Sequence, residues 1–240
     1  LKQNLTIELL IEEAKNFCER ESQFDNPELF GVTDGKAVGT HIEHKFQRYL
    51  FNKYVYEKGS SANGIDFPAK ILNTDMKVTS IKQPQSSCPF KSARQKIYGL
   101  GDNLLIFVYD KADNRQKRVA NLNFLDCSFI YEHRTADFMI TKTLRKMVED
   151  EANNEDIMAY LSDRNLPADE ITLNKLADEI TLNKLADEII ENPPVQGYLT
   201  VSNALQWRLQ YGRIVRLEEE VEGIIKVINR NLDKENGKHL

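Results

Sequence analysis

Two aspartates and a lysine carry the chemistry this chain offers most plainly. Gly64-Ile65-Asp66-Phe67-Pro68 is followed by Asp75-Met76-Lys77. Strand side chains alternate with period two, so Asp75 and Lys77 share one face of an extended segment. Asp66 falls on a preceding short strand, and two adjacent strands would set it beside Asp75. Two carboxylates with a shared open side suit a hard divalent cation, Mg²⁺ above all, and leave room for water and a phosphate oxygen. An ammonium at Lys77 could orient or activate that water and offset charge gathering on the phosphorus. The plain alternative is a surface hairpin with an Asp–Lys ion pair, because Asp-x-Lys is a common triplet. The strand context, the second aspartate, and the basic, acid-free stretch from Lys77 to Tyr98 favour the chemical reading.

Glu43 is a fourth candidate. Thr40-His41-Ile42-Glu43 fits a capping box, with Thr40 as N-cap and Glu43 at the third helical position. Glu43 also shares a face with Phe46, Leu50 and Tyr54, and a carboxylate at the edge of an apolar face wants a cation or metal beside it. The two roles can coexist, since the cap satisfies one oxygen.

These residues need elements to hold them. Residues 1–20 read as a helix capped by Thr6, with Ile7, Leu10, Ile11 and Ala14 at helical spacing. Residues 21–39 read as a loop, with turn signals at Asn26-Pro27, Gly31 and Asp34-Gly35. A second helix is expected from Thr40 to about Lys58. Short strands follow at 65–67 and 75–82, then a buried strand at 104–109 and another within 119–131. Helical signals dominate from Thr135 onward. The order implies an α/β core over 1–150 and a helical C-terminal subdomain over 151–240.

Glu43, Asp66 and Asp75-x-Lys77 together resemble the PD-(D/E)xK nuclease superfamily, and in particular a type II restriction endonuclease. The run from Ile65 to Ser87 carries most of the likeness, which covers roughly residues 40–140. The resemblance implies a mixed central sheet flanked by helices. It implies that Asp66 and Asp75 hold Mg²⁺, that Lys77 helps place the attacking water, and that Glu43 completes the catalytic and metal site. Ile65 stands where the family has proline before the first acid. Gln95-Lys96-Ile97-Tyr98 is one residue short of a related glutamine–tyrosine motif, and no role is carried over from it.

The charge distribution allows a nucleic-acid partner, although taken alone the basic stretches read first as a solvated face. The 240 residues are 41% apolar and 29% charged, with a net charge of -5. Residues 168–191 hold seven acids and two lysines, so the rest of the chain sums to zero. Local field governs an encounter with phosphates. Lys82, Gln83, Gln85, Lys91, Arg94 and Lys96 are candidate DNA contacts near the site. A second group is Asn203, Gln206, Arg208, Gln210 and Arg213, read on a helix that starts at Thr200 or Ser202 and ends at Gly212. Asn, Gln and Arg make bidentate contacts with bases, and with the helix 181–191 this segment reads as a loose helix-turn-helix. A solvated amphipathic helix is the alternative.

Ala-Asp-Glu-Ile-Thr-Leu-Asn-Lys-Leu occurs at 168–176 and again at 177–185, and Ala-Asp-Glu-Ile starts a third time at 186. Nine residues turn a helix by about 900°, so one helix would show Ile171 and Ile180 on opposite sides. A local duplication lengthening a surface helix is the simplest reading. No apolar run spans a bilayer, and no glycine-rich nucleotide loop is present. The odd, scattered Cys18, Cys88 and Cys127 form no zinc pattern and point to a reducing cytoplasm. The reading is therefore a cytoplasmic Mg²⁺-dependent endonuclease. It would cut double-stranded DNA at a short sequence and work as a homodimer without a nucleotide cofactor. The alternatives are a repair or junction nuclease, or a non-catalytic DNA-binding regulator.

Overall fold

The computed structural model describes residues 2–59, 64–164, 166–182, 194–201 and 208–230. The chain forms two compact units, each discontinuous in sequence: Leu1–Ser86 with Asp102–Tyr131 and Gln210–Leu240, and Ser87–Gly101 with Glu132–Leu209.

The first unit is built on a mixed sheet. It contains β1 (Gln3–Asn4), α1 (Ile7–Glu21), β2 (Asp25–Asn26), α2 (Gly35–Lys53), β3 (Tyr54–Val55) and β4 (Thr74–Ser80), with β5 (Gln85–Ser87) at its boundary. After α3 (Ala93–Tyr98) of the other unit come β6 (Asn103–Asn114) and β7 (Val119–Ile130). The sheet order is β10-β7-β6-β4, where β10 is Ile224–Asn229, and β2 also pairs with β7. β4 runs parallel to β6, whereas β7 is antiparallel to both β6 and β10. Residues 104–109 of β6 form a continuous apolar run and are buried, and β7 is buried along most of its length. Phe17 of α1 and Phe46 of α2 meet Phe107 of β6, their rings 6.0 and 5.2 Å away, and join α1 and α2 to the sheet.

Thr6 caps α1, accepting from Leu9 N at 3.3 Å, as its spacing implies. The second helix begins earlier than expected. Asp34 is its N-cap, accepting from Lys36 N at 2.9 Å, so Asp34-Gly35 opens a helix where a turn was read. Thr40 lies inside α2 and caps nothing, because an N-cap needs extended backbone. Glu43 is therefore not the third residue of a capping box. α2 also ends at Lys53 rather than near Lys58.

The second unit is largely helical, with α3, α4 (Phe138–Glu149), α5 (Asn154–Asp163) and α6 (Glu170–Leu182), and with β8 (Thr200–Val201). Its core includes Ile97, Leu144, Ile157, Leu161, Leu176 and Ile180. On α6, Ile171 is 68% exposed and Ile180 is 0% exposed, the opposition that the nine-residue phase requires. The rest of the repeat, 183–191, lies outside the described residues.

The C-terminal reading changes in two places. Arg208–Gln210 is a strand, β9, and Gly212 starts the short helix α7 (Gly212–Val215) instead of ending a longer one. Leu209 and Tyr211 are buried and alternate with half-buried Arg208 and Gln210. That period of two is the pattern of a strand and overrides the helix expected here. The helix-turn-helix expected over 181–213 therefore does not form at Arg208–Gln210, and Asn203 and Gln206 lie outside the described residues. β10 returns to the first unit's sheet, so the compact units do not divide at residue 150. Lys226 of β10 is ion-paired with fully buried Asp126 of β7. Among the described residues no helix is long and apolar enough to cross a membrane.

Candidate active site

The site forms where a short turn folds back on the start of β4. Phe67 and Thr74 make an antiparallel bridge, Phe67 N to Thr74 O at 3.0 Å and Thr74 N to Phe67 O at 3.1 Å. Between them, Leu72 N and Asn73 N both donate to Ala69 O at 2.8 Å. This bridge places Asp66 opposite Asp75, as two adjacent strands would. The Pro68 ring ends the pairing, since it has no N–H to offer. Gly59 holds the other side of Asp66, with Gly59 N donating to Asp66 O at 2.9 Å; a Cβ on Gly59 would stand 1.8 Å from Ile65 O.

Asp66 and Asp75 share one backbone donor. Met76 N–H lies 2.9 Å from Asp66 Oδ2 and 3.0 Å from Asp75 Oδ1. Lys77, two residues along β4, forms an ion pair through Nζ with Asp75 Oδ2. Asp75 is only 6% exposed, and the Lys77 side chain is partly open to solvent. Burial pushes the Asp66 carboxyl up to about 7, helped by its hydrogen bond with Asp75 and by the charges of Asp75 and Glu43, while Met76 N–H pulls the other way. The pair therefore resists carrying two negative charges, and Asp66 holds its proton until a further cation is beside it.

Glu43 reaches this pair from α2. Burial raises its pKa, Lys77 lowers it and Asp75 raises it, so Glu43 lies in the electrostatic field of both. Gly39, one turn earlier, lets the helix approach β4: a Cβ there would be 3.3 Å from Val78 O. Among the described residues, no group of three or more His, Cys, Asp or Glu could hold a metal ion. The two aspartates still fit a cation that keeps most of its ligands as water and phosphate oxygens.

Sequence reasoning missed Gln47. It sits one turn beyond Glu43 on the same side of α2, and its Nε2 donates to Asp66 Oδ1 at 2.9 Å. The i, i+4 spacing from Glu43 was visible, but a glutamine gives no charge signal. Tyr56, whose hydroxyl donates to Gln47 O at 2.9 Å, also borders the site. Burial and the charge of Asp66 push the Tyr56 phenol up to about 12.

The candidate DNA contacts separate into different surroundings. Lys82 and Gln83 are exposed in the turn after β4. That turn is pinned by Thr79, whose Oγ1 donates to Gln85 O at 3.1 Å and accepts from Gln85 N at 3.1 Å. Gln85 Oε1 accepts from Gln210 Nε2 at 2.9 Å, which brings two sequence-predicted contacts together. Arg213 lies on α7 of the same unit. Lys91, Arg94 and Arg208 belong to the other unit. Arg94 is paired with Glu179 at 2.5 Å and lies over the Tyr98 ring. Lys96 is buried, which removes it as a phosphate contact.

A family model described as Type II restriction enzyme NspV matches residues 4–226. A curated Type II restriction enzyme NspV from Nostoc sp. is 54% identical over 227 residues, which covers 95% of this chain and 98% of that protein. No solved structure matches the chain.

Proposed function

The chain belongs to the Type II restriction enzyme NspV family, and from that premise we propose that Asp66, Asp75, Lys77 and Glu43 are its cleavage machinery. The enzyme is a site-specific deoxyribonuclease acting on double-stranded DNA. Enzymes of this type use a divalent metal ion; the ion proposed here is Mg²⁺. The observation that carries the assignment is the Met76 N–H shared between two carboxylates, Asp75 buried and Asp66 half-buried, with Lys77 on the outer oxygen of Asp75.

Asp66 and Asp75 would hold the cation, whose charge would displace the proton that burial keeps on Asp66. When bound, the cation supplies Lewis-acid stabilisation of the charge that develops on the scissile phosphate. Lys77, held at one end by Asp75, turns its remaining N–H groups toward the attacking water and orients it for in-line attack. Glu43 acts through Lys77 as a charge partner on the α2 side.

Lys82, Gln83, Gln85 and Gln210 are proposed to face the DNA near this site. The Gln85–Gln210 amide pair leaves one donor edge and one acceptor edge, suited to a base. A homodimer would match a palindromic target, and the place of action proposed is the cytoplasm.

Incubation with a sequenced plasmid and Mg²⁺, against an EDTA control, tests the reading. Discrete bands are expected, whereas a smear favours a less specific nuclease and retardation without cutting favours a regulator. Asp75→Ala should abolish cleavage and retain DNA binding. Wild-type cutting by Asp75→Ala would remove the aspartate pair from the mechanism.

A further inference from the structure

Gln47 has two ends, and among the described residues only one of them has a partner. Its Nε2 lies 2.9 Å from Asp66 Oδ1. Asp66 is hydrogen-bonded to Asp75, which leaves Oδ1 to accept from Gln47; that fixes the nitrogen toward Asp66 and turns Oε1 the other way. Gln47 is 7% exposed, and its Oε1 is buried with no hydrogen-bond partner among the described residues. A buried carbonyl oxygen left without a donor costs roughly 1–3 kcal/mol, so such atoms are rare and call for a reason.

The placement of the residue supplies one. Gln47 follows Glu43 by one helical turn, and its backbone carbonyl is held by Tyr56 Oη at 2.9 Å. Phe46, its neighbour in sequence, is fixed in the aromatic core against Phe17 and Phe107. The amide is thus mounted on a helix beside a carboxylate pair that, among the described residues, is not part of a metal-holding group of three or more His, Cys, Asp or Glu. A cation held by only two carboxylates keeps several waters, and those waters need acceptors.

We propose that Gln47 is a positioning residue of the cleavage site. Its Nε2 sets the orientation of Asp66, and its Oε1 accepts a hydrogen bond from a water in the hydration shell of the divalent cation. This rests on the assignment of Asp66 and Asp75 as the metal-holding pair. Gln47 touches neither the metal nor the phosphate and works through the carboxylate and the water.

Mn²⁺ serves as the probe, with free Mn²⁺ followed by electron paramagnetic resonance in the absence of DNA, so that binding is read apart from cleavage. Gln47→Leu and Gln47→Met remove both ends of the amide at nearly constant volume. Each should remain folded and bind Mn²⁺ about 10–100-fold more weakly, the usual scale for losing an outer partner of a metal ligand. Gln47→Glu keeps an acceptor oxygen but cannot donate to Asp66, so it should weaken Mn²⁺ binding less than Gln47→Leu does. Unchanged Mn²⁺ affinity in a folded Gln47→Leu or Gln47→Met protein overturns the proposal. So does failure of both to fold, which makes Gln47 scaffold, and so does an equal loss in Gln47→Glu. Asp75→Ala, run beside them, separates the two levels. If it binds Mn²⁺ like wild type, the metal-pair assignment itself fails. If it loses Mn²⁺ while the Gln47 variants do not, only the role of Gln47 fails.

Discussion

Asp66 couples the site to pH. Its carboxyl is raised from the ordinary aspartate value to about 7, first by burial and then by Asp75 and Glu43. Between roughly pH 4 and 7 the folded, metal-free protein keeps a proton that the unfolded chain has lost. This group's contribution to stability is therefore complete below the unfolded pKa and is lost as pH rises through about 7. In EDTA, the wild type should lose melting temperature between pH 5 and 8 relative to Asp66→Asn, which cannot titrate. Added Mg²⁺ should erase most of that difference at pH 8. His41 has the opposite sign, since burial lowers its pKa, and the comparison with Asp66→Asn subtracts it. Equal pH profiles for the two proteins would mean that Asp66 is not held protonated at neutral pH.

Helix α2 and helix α6 make predictions of different kinds. On α2, Gly39 allows close approach to β4, and a Cβ would press on Val78 O at 3.3 Å. Gly39→Ala gains up to about 1 kcal/mol of helix propensity, so the protein should stay folded. The helix must still give way by a few tenths of an ångström, which moves Glu43 and Gln47 from their partners. Cleavage should fall by about tenfold with little change in melting temperature, since small misplacements at a reacting centre are costly. On α6, Ala177 and Ile180 are core residues of the second unit. Deletion of 177–185 brings Ala186-Asp187-Glu188-Ile189 into their places, with the same four residue types. That deletion should keep both folding and cutting, whereas Ile180→Asp, which buries a charge, should unfold the unit. Thermal melts of the two proteins decide it: a deletion that melts as low as Ile180→Asp would show that the copies are not interchangeable.

Across the whole molecule, the sheet is completed from the far end of the chain. β10 pairs with β7, and its Lys226 answers the buried Asp126, with Lys226 Nζ also donating to Ile214 O at 2.8 Å. Removing one partner of a buried pair strands the other, at a cost of about 3–5 kcal/mol. Lys226→Met should lower the unfolding free energy by about that much. Chemical denaturation of the full chain measures it, and a loss under about 1 kcal/mol would show that solvent reaches Asp126. The apolar β6–β7 hairpin is legible in sequence, but its last partner is not. Ile224-Ile225-Lys226-Val227-Ile228 is short and lies among charged residues, and local pattern does not say which edge it joins.

The residues that the sequence determined are those whose relation is covalent or nearly so. Asp75 and Lys77 share a face because strand side chains alternate, and Asp66 meets Asp75 because only six residues lie between the bridged Phe67 and its partner Thr74. Thr6 caps α1, and Ile171 and Ile180 oppose each other, for equally local reasons. What only the tertiary structure decided depends on contacts between distant segments. Where α2 starts determined that Glu43 is no cap residue, and the approach of α2 to β4 brought Gln47 to Asp66. Arg208–Gln210 fits both a helical and an extended period over so few residues, and the burial of Leu209 and Tyr211 selected the strand. Periodicity reports which faces are apolar, whereas the choice among competing partners is made by packing, which no local window contains.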